Sequence, residues 1–181
     1  PEKKTILLVG GSLGARTINE SVLQNLDKIA KSDIQFIWQT GKYYNAAIME
    51  QLKGQELPML KVTDFISDMG AAYKAADLVI SRAGASSISE FCLIGKPVIL
   101  VPSPNVAEDH QTKNALALVQ KSAALMVTDA DARRALLPLA VNTVTDVLRL
   151  EDLSRQICKW TKPNAASDIA DVVIALAEKQ G

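Results

Sequence analysis

The chain has 181 residues, 20 Lys and Arg against 20 Asp and Glu, 48% apolar and 22% charged residues, two cysteines and one histidine. Its size and apolar fraction fit one globular domain with its own core, spanning residues 1–181, and exclude a disordered chain. A zero net charge without Lys/Arg runs excludes a nucleic-acid footprint and a membrane-surface patch, and the single His110 excludes a multi-histidine zinc site. Cys92 and Cys158 stand far apart with no CxxC and read as reduced core thiols. The longest uncharged apolar stretches, such as 172–177, fall far short of the ~20 residues that span a bilayer, so no transmembrane segment is expected, and no signal peptide is visible. The chain starts at Pro1 without Met and reads as a domain cut from a longer protein.

Strand-like apolar runs alternate with amphipathic stretches. Strands are expected at Thr5–Val9, Ile34–Gln39, Met59–Val62, Leu78–Ser81, Val98–Val101 and Ala124–Val127. Helices are expected at Ala15–Ala30, Tyr44–Leu52, Asp68–Ala75, Ser87–Ile94 and Glu108–Lys121. After Asp129 the pattern is helical only, broken around Pro163-Asn164, with Ala165–Glu178 as the last helix. Continuously apolar strands spaced by helices mean a parallel sheet covered on both faces. The fold class is therefore α/β: a doubly wound, Rossmann-like parallel sheet of about six strands with a C-terminal helical tail. In such sheets ligands bind beyond the carboxyl ends of the strands.

Two glycine–serine loops follow buried strands. Gly10-Gly11-Ser12-Leu13-Gly14-Ala15-Arg16 follows the first strand, and Ser81-Arg82-Ala83-Gly84-Ala85-Ser86-Ser87-Ile88-Ser89-Glu90 includes the end of the fourth. A strand–Gly loop–helix unit aims backbone N–H groups and a helix dipole at one point, which suits an anion. The first loop lacks the ending of a P-loop and fails GxGxxG, so it is either a phosphate-side turn or a plain βα turn. In the second, Ser87-Ile88-Ser89-Glu90 matches a capping box. The alternative puts a phosphate on the helix start and uses Glu90 to accept from vicinal ribose hydroxyls. Arg82 either contacts phosphate or pairs with a neighbouring acid.

Phe65-Ile66 follows the third strand and is either core or a stacking surface for a flat base. Glu108-Asp109-His110-Gln111-Thr112-Lys113-Asn114 follows Pro102 and Pro104, and is either a solvated helix start or a set of donors and acceptors for sugar hydroxyls. All four clusters fall at carboxyl ends of expected strands, on one rim.

Taken in order, the first loop with Asn19, Phe65-Ile66 before Met69, the second loop with Gly84 and Glu90, and Glu108 to Gln111 with Asn114 resemble the MurG family. These are the peptidoglycan UDP-N-acetylglucosamine transferases of the two-domain GT-B fold. The resemblance runs from about Thr5 to Leu176 and covers only the C-terminal, donor-binding half. It implies transfer of GlcNAc, with inversion and no required metal or other cofactor, from UDP-GlcNAc to a lipid-linked MurNAc-pentapeptide, giving lipid II. It implies an enzyme that is cytoplasmic and peripheral on the inner face of the cell membrane.

Carried over by position, the resemblance implies that Ser12, with Gly11 beside it, contacts phosphate. Phe65 and Ile66 form the uracil pocket. Ala85, Ser86, Ser87, Ile88 and Ser89 lie under the diphosphate, Glu90 grips the ribose, and Gln111 reads the GlcNAc hydroxyls. His110, at a position that is glutamine in some relatives, is a less specific sugar contact. The acceptor loops and the general base belong to an N-terminal domain without counterpart here, so no catalytic residue is assigned. The isolated chain is expected to be inactive and at best a weak UDP binder. Competing readings are the donor subunit of a two-chain dolichol-linked GlcNAc transferase, a UDP-sugar 2-epimerase-like domain, and a non-catalytic nucleotide-sugar-binding module.

Overall fold

A computed structural model of the chain describes residues 3–178. Six parallel strands form one sheet: β1 (Thr5–Val9), β2 (Gln35–Gln39), β3 (Leu60–Thr63), β4 (Leu78–Ser81), β5 (Val98–Leu100) and β6 (Leu125–Met126). Their spatial order is β3-β2-β1-β4-β5-β6, so the winding reverses between β1 and β4. This is the doubly wound α/β sheet expected, and its reversal opens a crevice at the carboxyl ends of β1 and β4. Val9 pairs in register with Ser81, so both glycine–serine loops leave the sheet side by side.

Alternate strand residues feed two separate cores. Ile6, Leu8, Phe36, Trp38, Ile80 and Ile99 face one layer; Leu7, Val9, Val79, Val98 and Leu100 face the other. Helices α1 (Arg16–Leu23), α2 (Leu26–Lys31) and α3 (Asn45–Leu52) cover the first face together with α7 (Asp129–Thr145). Helices α4 (Met69–Ala75), α5 (Ala85–Ile94) and α6 (His110–Val119) cover the second. Helix α8 (Val147–Cys158) gives Leu150 to one core and Ile157 to the other. Helix α9 (Ala165–Glu178) follows the expected break at Pro163-Asn164. Among the described residues no helix is long and apolar enough to cross a membrane.

Four local expectations are corrected. The single helix expected over Ala15–Ala30 is split into α1 and α2, because Asn25 leaves helical geometry and turns its amide back to the Ser21 carbonyl at 2.8 Å. The acids expected in the first turn of α6 precede it: Glu108 and Asp109 both sit at φ 52°, a conformation uncommon outside glycine, in a short 3₁₀ turn over Ala107–Asp109. Cys92 is buried, but Cys158 is exposed at the end of α8, so only one thiol belongs to the core. The capping box at Ser87–Glu90 does not form, because α5 starts two residues earlier at Ala85, with Gly84 as its N-cap.

Candidate donor site

The first loop is held by backbone contact from the β2 side. The Gly14 N–H donates to the Gly11 carbonyl at 2.9 Å, and the Lys42 N–H to the Ser12 carbonyl at 3.2 Å. Gly14 and Gly41, both at positive φ, meet backbone to backbone, and a Cβ on either would collide with the other loop. The loop is thereby braced while Gly11 and Ser12 stay exposed at the rim.

Gln39, the last residue of β2 and almost fully buried, ties three segments together. Its Oε1 accepts from the Gly10 N–H at 3.2 Å, and its Nε2 donates to the carbonyls of Gly11 at 2.8 Å and Asp64 at 3.2 Å. The first loop and the loop carrying Phe65 are therefore set relative to each other by one amide. Asn19 is a brace of the same kind. It is buried, with Nδ2 on the Thr40 carbonyl at 2.8 Å and Oδ1 accepting from Trp38 Nε1 at 2.9 Å. Its amide is taken up inside the fold and does not reach the rim.

Phe65 is 49% exposed and is not the core residue that its apolar character suggests. Its ring lies 5.5 Å from Lys42 Nζ, and its carbonyl accepts from Thr63 Oγ1 at 2.8 Å. Ile66 is half-buried and packs on the second core. Asp68 caps α4 by accepting from the Ala71 N–H at 2.8 Å.

Helix α5 starts without a side-chain cap. Among the first-turn amides of α5, those of Ala85, Ser86 and Ser87 precede the first intrahelical bond, from Ile88 N–H to the Gly84 carbonyl. The space where a Gly84 side chain would stand is open. An uncapped helix start with an open approach is the physical form of an anion site.

Gly11, Ser12, Gln39, Phe65, Ile66, Met69, Tyr73, Ser87 and Glu90 line one cleft of about 220 Å³ floored by Val9 and Ser81. Of α5, Ser87 and Glu90 face it because i and i+3 share a helix side. Ala85, Ile88 and Ser89 line a second, open cavity of about 490 Å³ together with Trp160, Lys162 and Pro163; Glu90 borders both. The helix-start residues are therefore divided between two cavities, while their amides share one end. Tyr73 Oη donates to Glu90 Oε2 at 2.9 Å. Burial first, and then the Glu90 carboxylate, push the Tyr73 phenol well above its ordinary pKa, so it stays protonated and donating.

Arg82 pairs with Asp129 at the start of α7 and also donates to the carbonyls of Val101 and Pro102, each at 3.2 Å. The acid that sequence offered it as one of two partners is Asp129. Gln111 Oε1 accepts from the N–H groups of Ala83 at 3.2 Å and Ser103 at 2.9 Å. Asn114 Nδ2 donates to the Ala83 carbonyl at 3.2 Å. The two bonds to Oε1 hold the Gln111 side chain between the segments after β4 and β5. His110 is exposed on the first turn of α6. Neither His110 nor Gln111 lines the small cleft.

The sequence pattern did not single out Gln39 and Tyr73. A polar residue closing the apolar run Phe36-Ile37-Trp38 was the available signal for Gln39. Tyr73 carried none, since only the packing of α4 against α5 brings it to Glu90.

The chain matches the family described as glycosyltransferase family 28 C-terminal domain over residues 5–172. It is 62% identical over 182 residues to the UDP-N-acetylglucosamine--N-acetylmuramyl-(pentapeptide) pyrophosphoryl-undecaprenol N-acetylglucosamine transferase of Bacteroides thetaiotaomicron, covering 99% of this chain and 49% of that protein. The chain thus spans about half the length of the curated relatives it matches. The crystal structure of Acinetobacter baumannii MurG superposes with a TM-score of 0.83 at 28% identity, over 96% of this chain and 52% of that one. The fold is shared more widely: the UDP complex of S. aureus MnaA superposes at 0.69 with 13% identity, over 98% of this chain and 47% of that one.

Proposed function

Because the chain belongs to the glycosyltransferase family 28 C-terminal domain family, we propose that it is the donor-binding half of a UDP-GlcNAc-dependent transferase. In this reading the full protein moves GlcNAc from UDP-GlcNAc to undecaprenyl-diphospho-MurNAc-pentapeptide. It works peripherally at the inner face of the cell membrane, where the N-terminal half engages the lipid-linked acceptor. The reading rests on the 62% identity to a protein bearing that name.

The observation that carries the donor assignment is the convergence of Gly11, Ser12, Phe65, Ser87 and Glu90 on one cleft at the reversal between β1 and β4. Uracil stacks on Phe65 beside Ile66, because a half-exposed ring offers a flat face without dismantling the core. The Glu90 carboxylate accepts from the ribose hydroxyls. The diphosphate lies between the Ser12 loop and the start of α5, where fixed amide dipoles meet the charge that grows on departing UDP. Gln111 offers N–H donors to GlcNAc hydroxyls, with His110 beside it on the same turn.

Titration calorimetry of UDP, UDP-GlcNAc and UDP-Gal against this chain and its Glu90→Ala variant tests the assignment. Wild type binds UDP, and UDP-GlcNAc more tightly than UDP-Gal. Removing the charged acceptor costs about 1.5–3 kcal/mol of UDP affinity. Equal UDP affinity in both proteins overturns the ribose role of Glu90, and no binding of any nucleotide overturns the donor reading.

A further inference from the structure

We propose that Tyr73 is a positioning residue that fixes the Glu90 carboxylate for a vicinal diol and thereby sets the preference for ribo- over 2′-deoxyribonucleoside diphosphates; this rests on the donor reading above. Glu90 is exposed on α5, and a glutamate side chain left to itself samples several rotamers. Tyr73 does not share that freedom. Its ring stands edge-on to Phe91, with centroids 5.8 Å apart and planes at 84°, and Phe91 is fully buried in the second core. The core thus fixes the ring, the ring fixes the hydroxyl, and the hydroxyl holds Glu90 Oε2 at 2.9 Å.

The stoichiometry of the contact suits a diol. A carboxylate has about four acceptor positions. Tyr73 occupies one on Oε2, leaving Oε1 and the rest of Oε2 to accept two adjacent hydroxyls. Since the phenol remains a donor, it reinforces the ionised acceptor and does not compete with it. Tyr73 also belongs to α4, which directly follows the Phe65-Ile66 loop, and it lines the same cleft. The bond therefore ties the base side of the cleft to its sugar side.

A bond that merely stapled α4 to α5 would weaken every ligand alike when lost. A positioning bond weakens only ligands that use both hydroxyls. Calorimetric titration of UDP and 2′-deoxy-UDP against wild type, Tyr73→Phe, Glu90→Ala and the double variant separates the two. Wild type prefers UDP. Tyr73→Phe keeps the ring and its contact with Phe91, lowers UDP affinity about three- to tenfold, the size of one net hydrogen bond, and leaves 2′-deoxy-UDP nearly unchanged. In the Glu90→Ala background Tyr73→Phe has no further effect on the ratio. An unchanged ratio in Tyr73→Phe, or an equal fall for both nucleotides, overturns the role of Tyr73 while leaving the donor reading intact. Failure of wild type to bind either nucleotide overturns both.

Discussion

Gln39 holds Gly11 by a 2.8 Å hydrogen bond from its side-chain Nε2 to the glycine carbonyl. The same amide accepts from the Gly10 N–H and reaches the Asp64 carbonyl, so the Gly10–Ser12 loop and the loop carrying Phe65 share one buried support. Gln39→Leu fills similar volume and removes all three bonds. It removes the partner of the Gly10, Gly11 and Asp64 backbone groups, which water can partly replace at the rim, at a cost of about 0.5–1.5 kcal/mol, the size of one net hydrogen bond. We expect that loss in urea denaturation. We also expect weaker UDP binding by the folded protein, because the two loops no longer hold a common spacing. A variant that loses stability with UDP affinity intact would confine Gln39 to the fold.

Arg82 and Asp129 form the second support. Both side chains are about one-fifth exposed, and Asp129 Oδ2 also accepts from Thr17 Oγ1 at 2.8 Å. Asp129→Ala strips a mostly buried guanidinium of its counter-charge, and we expect it to cost about 2–3 kcal/mol. The double variant with Arg82→Ala should lose less than the sum of the singles, because the second change then removes a charge already unpaired. UDP affinity of the folded Asp129→Ala protein should stay close to wild type. A tenfold fall on Arg82→Ala alone, with Asp129→Ala silent, would give the guanidinium back to a phosphate.

These two supports mark where sequence ceases to be informative. The strands and the positions of both glycine–serine loops were legible because an apolar run followed by a glycine-bearing segment marks a strand end in an α/β chain, and the strand order β3-β2-β1-β4 then puts Ser12 and Ser87 together. Phe65 and Glu90 were legible as types at strand and helix ends. Tyr73 was not, since it meets Glu90 and Phe91 of α5 only through the fold and not through any neighbour in sequence. The false capping box shows the converse: Ser-x-x-Glu is present, but Gly84 lets the helix start earlier and leaves the amides of its first turn open. Gln111 was legible as polar but not as a clamp, because Ala83 and Ser103 reach it from two other loops.

Glu20 links Arg16, the first residue of α1, to Arg133 of α7, at 2.8 and 2.6 Å. The Arg16 hydrogen bond, aided by Arg133, holds the Glu20 carboxyl below its ordinary pKa. A depressed folded pKa means stability that is present above the unfolded value of about 4.3 and is lost as pH falls through the lower folded value. Glu20→Gln should therefore be less stable than wild type from neutral pH down to about 5, with the gap closing below about 4. The groups are solvent-screened, so the neutral-pH gap should stay within about 1 kcal/mol and shrink in high salt. Parallel pH series of urea midpoints check this, and a gap that widens on acidification would contradict it.

Phe65 separates binding from stability. With half of its surface already in water, Phe65→Ala should cost less than about 1 kcal/mol of unfolding free energy, whereas a buried Phe→Ala costs about 3–5. If uracil stacks on the ring, the same change should remove about 1–3 kcal/mol of UDP affinity, the range for a base on an aromatic side chain. Phe65→Leu, which keeps apolar area but no flat face, should recover only part of it. Calorimetry with UDP against inorganic pyrophosphate isolates the base: pyrophosphate binding should be indifferent to residue 65.

Donor binding and transfer are separable in the proposed enzyme. Inverting transfer needs an acceptor hydroxyl held in line with the sugar, and a base to take its proton. In the proposed reading the donor sits in the cleft between the loops after β1 and β3 and helices α4 and α5, and the acceptor side belongs to the part of the full protein outside this chain. The chain alone should therefore bind UDP-GlcNAc but form no lipid II from a lipid-linked MurNAc-pentapeptide. Adding the N-terminal half, in one polypeptide, should restore transfer. Glu90→Ala in that longer protein should then act chiefly on donor KM, since the ribose grip is made in both ground and transition states. Lipid II formed by the 181-residue chain alone would place the base inside this half and redraw the division.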